Sequence, residues 1–175
     1  MDERWCLRFK TVLPDGDTYD GIVTHNKRQF VVLREERDFG FDGVILLPKK
    51  IIKGYRDNKY EKCCNAIIRD NGSVNKVKVP RWLNSCDDFT DVLAQLKRRD
   101  IWPGIEILFN EGSETAFYLG PITRMDEDMF YLKGYDAAGD WEKVYELDYD
   151  DICRIEFDSK YCNSFNAHMQ SKSGT

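Results

Sequence analysis

FDGVILLPKKIIKGYRD (41–57) and WEKVYELDYDDICRIEFD (141–158) read as one stretch written twice. At a shift of one hundred residues Phe41 meets Trp141, Val44 meets Val144, Leu47 meets Leu147 and Ile52 meets Ile152. Upstream, Ile22 meets Ile122 and Phe30 meets Phe130. Past one inserted residue, Asp57 matches Asp158, Lys59 matches Lys160, Tyr60 matches Tyr161, Asn65 matches Asn166 and Ala66 matches Ala167. The chain is therefore two copies of one unit, centred on 22–66 and 122–167. A 175-residue chain divides naturally into two such units. Each is about seventy residues with its flanks, near the lower limit for an independent core, so the copies are expected to pack on each other.

Each copy alternates apolar and polar residues with a period of two, the mark of half-buried strands. In the first copy strands are expected from Trp5, over 18–24, 30–34, 41–47 and 51–55. Turns are set by Pro14-Asp15-Gly16, by His25 to Arg28 and by Pro48-Lys49-Lys50, with a charged loop over 34–38. Tyr60, Cys63, Cys64 and Ile67 then fall on one helical face, with Asp57 or Asn58 as cap and Asn71-Gly72 as stop. Val77 and Val79 alternate with lysines as a short strand. Ser85 to Asp88 starts a second helix, whose apolar face is Phe89, Val92, Leu93 and Leu96. The second copy follows with strands over 105–109, 116–124, 129–133, 145–149 and 153–157. Glu111-Gly112-Ser113 forms a turn, 135–140 a loop, and Tyr161, Phe165, His168 and Met169 a last helical face. The domain reading is 1–72, a joint at 73–88, and 89–175. The fold class is mainly β with short helices, as two tandem small five-stranded barrels.

A helix followed by five short bent strands resembles an Sm-like domain. In that family the first motif pairs a strand-two Gly with a turn Asp, then Met-Asn, then an aliphatic residue. Gly120, Asp126, Met129 and Leu132 are similar to it, with Phe130 in place of Asn. The first copy keeps Gly21 and Phe30, puts Lys27 near the Asp position, and lacks the leading helix. Ile52-Lys53-Gly54 resembles the second motif, Ile-Arg-Gly-Asn, with Tyr55 following. The second copy has Ile152-Cys153-Arg154 there. In the family the Asn and the Arg-Gly pair grip RNA, so the resemblance implies RNA as a partner while this chain departs at those positions. An SH3-like barrel has the same strand count and stays open as the rival fold.

Charge divides the copies. Residues 1–75 carry 14 basic and 12 acidic side chains, and 76–175 carry 12 and 19. A chain of net charge −5 is a poor electrostatic match for non-specific nucleic-acid binding. Matched turns differ in sign: Lys27-Arg28 against Glu127-Asp128, and Lys49-Lys50 against Tyr149-Asp150. Opposite charge on equivalent surfaces permits head-to-tail contact within the chain, or self-association between chains. The binding residues expected are Lys27, Arg28, Lys49, Lys50 and Lys53 on one side. On the other are Asp126, Glu127, Asp128, Asp150 and Asp151, with the rings of Tyr135 and Trp141 exposed beside them.

Chemistry-bearing patterns are sparse. His25 and His168 lie in no metal spacing. There is no Asp-x-Asp-x-Asp-Gly calcium loop, no phosphate loop and no G-x-S-x-G. The six cysteines form no C-x-x-C and recur at no matched position, which reads as free thiols in a reducing compartment, the cytoplasm. No cofactor or metal is expected. No apolar run approaches the ~20 residues that span a bilayer, so no membrane contact is expected. The chain is read as a non-enzymatic cytoplasmic binding protein with a protein partner. An RNA-binding role is the alternative, and a hydrolase using Asp126 or Asp150 the remote one.

Overall fold

A computed structural model describes residues 6–14, 16–109 and 114–173. Trp5, Asp15 and the Glu111-Gly112-Ser113 turn lie outside them. The first half contains β1 (Cys6–Thr11), β2 (Thr18–Asn26), β3 (Phe30–Arg37), β4 (Gly40–Pro48), β5 (Ile52–Arg56) and α1 (Lys59–Asp70). After the joint come α2 (Phe89–Arg98), β6 (Gly104–Phe109), β7 (Glu114–Leu119), β8 (Ile122–Met125), β9 (Met129–Tyr135), β10 (Trp141–Asp148), β11 (Ile152–Phe157) and α3 (Lys160–Ser173). One open eight-stranded sheet runs β5-β1-β2-β3-β4-β11-β6-β7, and an open three-stranded sheet runs β10-β9-β8. The protein is mainly β with short helices.

Four expectations change. The second strand of the second half is two strands, because Gly120-Pro121 turns the chain from one sheet into the other. The segment 34–38 is not a loop: β3 runs to Arg37 and reverses through Asp38 and Phe39, both at positive φ (49° and 63°). β10 begins at Trp141 rather than Tyr145. Val77 and Val79 form no strand, since the joint consists of two short 3-10 turns around Pro80, which has no N–H for a ladder. The helix signals hold. Asn58 accepts from Tyr60 N–H while Glu61 accepts from Asn58 N–H, at 2.9 Å each. Gly72 follows the C-terminal Asn71 of α1 at φ 73°.

Equivalent hydrogen bonds recur in the two halves. Thr24 Oγ1 donates to Val32 O and Thr123 Oγ1 to Tyr131 O. Lys27 N–H reaches Phe30 O, and Asp126 N–H reaches Met129 O. The shift through these strands is thus one residue less than the sequence match gave. Val31, not Phe30, corresponds to Phe130. A one-residue slip reverses the face of a strand, and here both faces are buried. Val31, Leu33, Ile45 and Leu47 join Phe9 and Tyr19 in one cluster. Phe30, Val32, Val44 and Leu46 join α2 and the second half in another. That two-sided burial explains why Val44-Ile45-Leu46-Leu47 has no alternation.

A third repeat is a lock. Asn65 Nδ2 donates to Cys6 O at 3.1 Å, and Asn166 Nδ2 to Trp102 O at 2.8 Å. In each half the terminal helix thereby holds the backbone at the head of the first strand. Asn65 also accepts from Cys6 N–H at 2.7 Å, and both residues are buried. Replacing Asn65 by Ala strands two buried backbone groups. The expected loss is about 2–3 kcal/mol of unfolding free energy, read from a urea melt. A loss under about 0.5 kcal/mol, the level of an ordinary surface substitution, would mean that water takes over both bonds.

The halves join through β4 and β11, with Leu46 opposite Ile155 and Val44 opposite Phe157. Asp42 Oδ1 accepts from Lys160 N–H at 2.7 Å, so the first half caps the last helix. Beside this seam lies a buried ionic cluster. Arg154 Nε is 3.1 Å from Glu106 Oε2, and Arg154 Nη1 is 3.8 Å from Glu156 Oε2. Its guanidinium lies 5.4 Å from the Tyr19 ring and 5.0 Å from that of Phe117. Tyr19 O–H donates to Glu106 Oε2 at 3.3 Å. Glu35 completes the group and is bridged at 3.1 Å by Arg37, which is half exposed. Glu35, Glu106 and Glu156 are all buried.

Candidate functional site

The hairpin turns between β2 and β3 and between β8 and β9, with the connections from β4 to β5 and from β10 to β11, gather where the halves meet the start of α2. Short turns put their charged side chains outward, because the backbone closes on itself there: Lys27 N–H to Phe30 O at 2.9 Å, Asp126 N–H to Met129 O at 2.8 Å. Between them runs a groove of about 530 Å³ whose walls carry Asp88, Glu127, Asp128, Asp148 and Asp150, with Phe89 and Tyr149 as its apolar part. A neighbouring groove of about 310 Å³ shares Gln29, Phe89, Tyr149 and Asp150 and carries Arg28, Lys49 and Lys50. Negative and positive walls thus meet along one line. Lys50 Nζ donates to the backbone carbonyl of Asp150 across that line.

Of the twelve residues expected from sequence, six line these grooves: Arg28, Lys49, Lys50, Glu127, Asp128 and Asp150. Lys27 is committed to the joint. Its Nζ donates to Asn84 O at 2.7 Å and lies 3.8 Å from Asp87. Asp126 pairs with Arg124 at 2.8 Å and accepts Tyr149 O–H on its backbone carbonyl. Asp151 is exposed on the last turn, where its carbonyl accepts Leu108 N–H. Lys53 is exposed on β5 and lines neither groove. Tyr135 is a correction. It is buried rather than exposed, because its O–H donates to Asn166 at 2.7 Å beneath α3. Trp141 is 39% exposed and packs edge-on against Tyr135 at 5.8 Å. Tyr135 ends β9 and its pair partner Trp141 begins β10, ~20 Å along the strands from the charged turns.

One feature escaped the sequence reading. The joint closes a groove of about 750 Å³ with Thr24 and His25 on one side and Lys78, Pro80, Arg81 and Asn84 on the other. His25 Nε2 contacts Asn84 Oδ1 at 2.7 Å. Lys78 and Arg81 gave no signal, because isolated cations around a proline look like any exposed linker.

Cys6, Cys86, Cys153 and Cys162 are buried, Cys64 is half-buried and Cys63 exposed. Burial pushes the Cys64 and Cys86 thiols up to about 11 and those of Cys153 and Cys162 to about 12. Among the described residues no helix is long and apolar enough to cross a membrane. The chain matches no family model, no curated protein and no solved structure at significant similarity.

Proposed function

We propose that this is a non-enzymatic cytoplasmic binding protein that engages a protein partner through two diverged, Sm-like, barrel-type halves. The Sm-like reading draws support from the common spatial order of the five strands in each half, fifth-first-second-third-fourth, with the second strand of the latter half broken between sheets. It also draws on Gly21 and Gly120, where a Cβ would stand 2.7 Å from Arg34 O and 2.0 Å from Lys133 O respectively. The observation that carries the functional reading is the divided charge of the turn surface. Five carboxylates face one groove and three cations its neighbour. A phosphate backbone is repelled by the first, whereas a peptide with a basic segment followed by acidic residues matches both. Asp126 and Asp150, the residues a hydrolase would use, stand exposed on turns, one of them already ion-paired.

The test is capture from native lysate with and without nuclease at two salt concentrations. A discrete protein should survive nuclease and weaken with salt. Glu127→Lys with Asp128→Lys should reduce its recovery about tenfold or more at low salt, since like charges across an interface are costly. Equal recovery by the double variant would sink the proposal. RNA binding is the second reading, favoured by the joint groove with His25, Lys78 and Arg81. Bound material that vanishes with nuclease and with Arg81→Glu would establish it instead.

A further inference from the structure

Cys6 at the head of β1, Glu36 near the end of β3 and Cys64 in α1 come together although the sequence scatters them. Both sulfurs and a carboxylate oxygen lie within 4.8 Å of one another. They face a cavity of about 190 Å³ that also holds Arg8, Asp20, Arg56 and Glu61. These four charges are satisfied in pairs: Arg8 with Asp20 at 2.7 Å, and Arg56 with Glu61 at 2.8 Å. Two of the three central groups are held in place from behind. Asn65 fixes both backbone groups of Cys6, and Phe39 N–H donates to Glu36 Oε1 at 2.6 Å.

The second half shows what this place in the fold otherwise contains. The Asn lock matches Cys6 to Trp102 and Cys64 to Phe165. The strand pairings of Glu36 with Phe41 and of Tyr135 with Trp141 match Glu36 to Tyr135. Those three positions of the second half are all aromatic. Tyr135 stacks on Phe165 at 6.3 Å, and Trp141 bridges Tyr135 and Trp102 at 5.8 and 5.9 Å. One half fills the junction of first strand, third strand and terminal helix with rings. The other fills it with two thiols and a carboxylate around an open space.

We propose that Cys6, Cys64 and Glu36 bind one zinc ion, with the fourth position open to the cavity. Two sulfurs and one carboxylate are a donor set that a borderline-soft, tetrahedral ion takes. Tetrahedral coordination at Zn–S of ~2.3 Å sets the sulfurs ~3.8 Å apart, compatible with atoms that lie within 4.8 Å of one another. Binding replaces the two thiol protons, so two H⁺ leave for each Zn²⁺ bound and no electron is transferred. The ion would tie α1 to the sheet and leave a position for a further ligand.

The test uses the full chain, reduced with a phosphine and stripped of metal, titrated with Zn²⁺ against a chromophoric chelator and separately with Co²⁺. One Zn²⁺ per chain is expected. Co²⁺ should give a sulfur-to-metal charge-transfer band and the intense visible absorption of tetrahedral cobalt. Cys64→Ser should weaken Zn²⁺ binding on the order of 100-fold and diminish the charge-transfer band, and Glu36→Gln on the order of 10-fold. The exposed neighbour variant Cys63→Ser should bind as the parent does. Cys64 is half-exposed and Glu36 sits at a hairpin, so both variants should fold even where Cys6→Ser does not. Absence of stoichiometric Zn²⁺, absence of the charge-transfer band, or unchanged affinity in Cys64→Ser overturns the assignment.

Discussion

Arg154→Met should lower the unfolding free energy at neutral pH by about 3–5 kcal/mol, the usual consequence of removing one partner from a buried ion pair. Arg154 is the half-buried cation among three buried carboxylates, Glu35, Glu106 and Glu156. Burial works against its own charge, but Tyr19, Glu106, Glu156 and Glu35 hold its pKa above the usual arginine value. Methionine has nearly the length and none of the charge, so packing changes little and electrostatics change a great deal.

The deficit should depend on pH. Burial pushes the Glu35 carboxyl above its ordinary 4.5, while Arg37 and Arg154 pull it back down. A carboxyl raised in the folded state favours folding below its unfolded pKa, and that contribution is lost as pH rises through the folded value. Without Arg154 the folded value moves higher still. The Arg154→Met deficit should therefore shrink as the pH falls from about 8 towards about 5, where protonation removes the uncompensated charge. Urea melts across that range provide the measurement. A deficit constant with pH, or below about 1 kcal/mol, would mean that water reaches the cluster and screens it.

Gly120→Ala should be almost as damaging, for a reason of shape. Gly120 sits at φ 148°, and a Cβ there would stand 2.0 Å from the Lys133 carbonyl oxygen. Backbone strain of this kind costs about 1–3 kcal/mol, and the clash is with backbone, which cannot rotate away. A total of about 3 kcal/mol or more should lower the melting temperature by roughly 6–12 °C in a chain of this size. Gly54→Ala is the matched control: its Cβ meets nothing within 4 Å. If both variants melt alike, the bend between β7 and β8 does not depend on the missing side chain.

Local signals made most strands and all three helices legible. Asn58 with Glu61, Asp88 with Asp91 N–H, and Asn71-Gly72 state their helix ends directly. The lock was legible only as a coincidence of letters, Asn65 with Asn166, until the carbonyls of Cys6 and Trp102 gave it a purpose. What failed was the register of Phe30 against Phe130, since a strand buried on both faces offers no alternation to align. The pairing of β4 with β11 could not be read because it joins residues a hundred positions apart. Glu35, Glu106 and Glu156 looked like the polar phase of ordinary alternating strands. Their burial depends on contacts remote in sequence, such as that of Tyr19 with Glu106. In the site, Arg28, Lys49, Lys50, Glu127, Asp128 and Asp150 line the two grooves, whereas Tyr135 is buried because α3 lies over it.

The β4–β11 ladder also changes what each half is free to become. Two separate subunits meeting edge to edge would drift apart on dilution, and identical subunits would have to keep both edges and both faces fit for either role. Tethered in one chain, the contact is unimolecular and indifferent to concentration. The face of β3 and β4 that meets the second half could then turn largely apolar, as Phe30, Val32, Val44 and Leu46, with Arg34 paired to Asp158 as the exception, because those four side chains are packed away from water. The corresponding face of β9 and β10 kept Tyr131, Val144 and Glu146 at or near the surface. Asymmetry between the halves, in charge, in edge and in what fills the junction beneath each terminal helix, is the freedom that covalent linkage grants them.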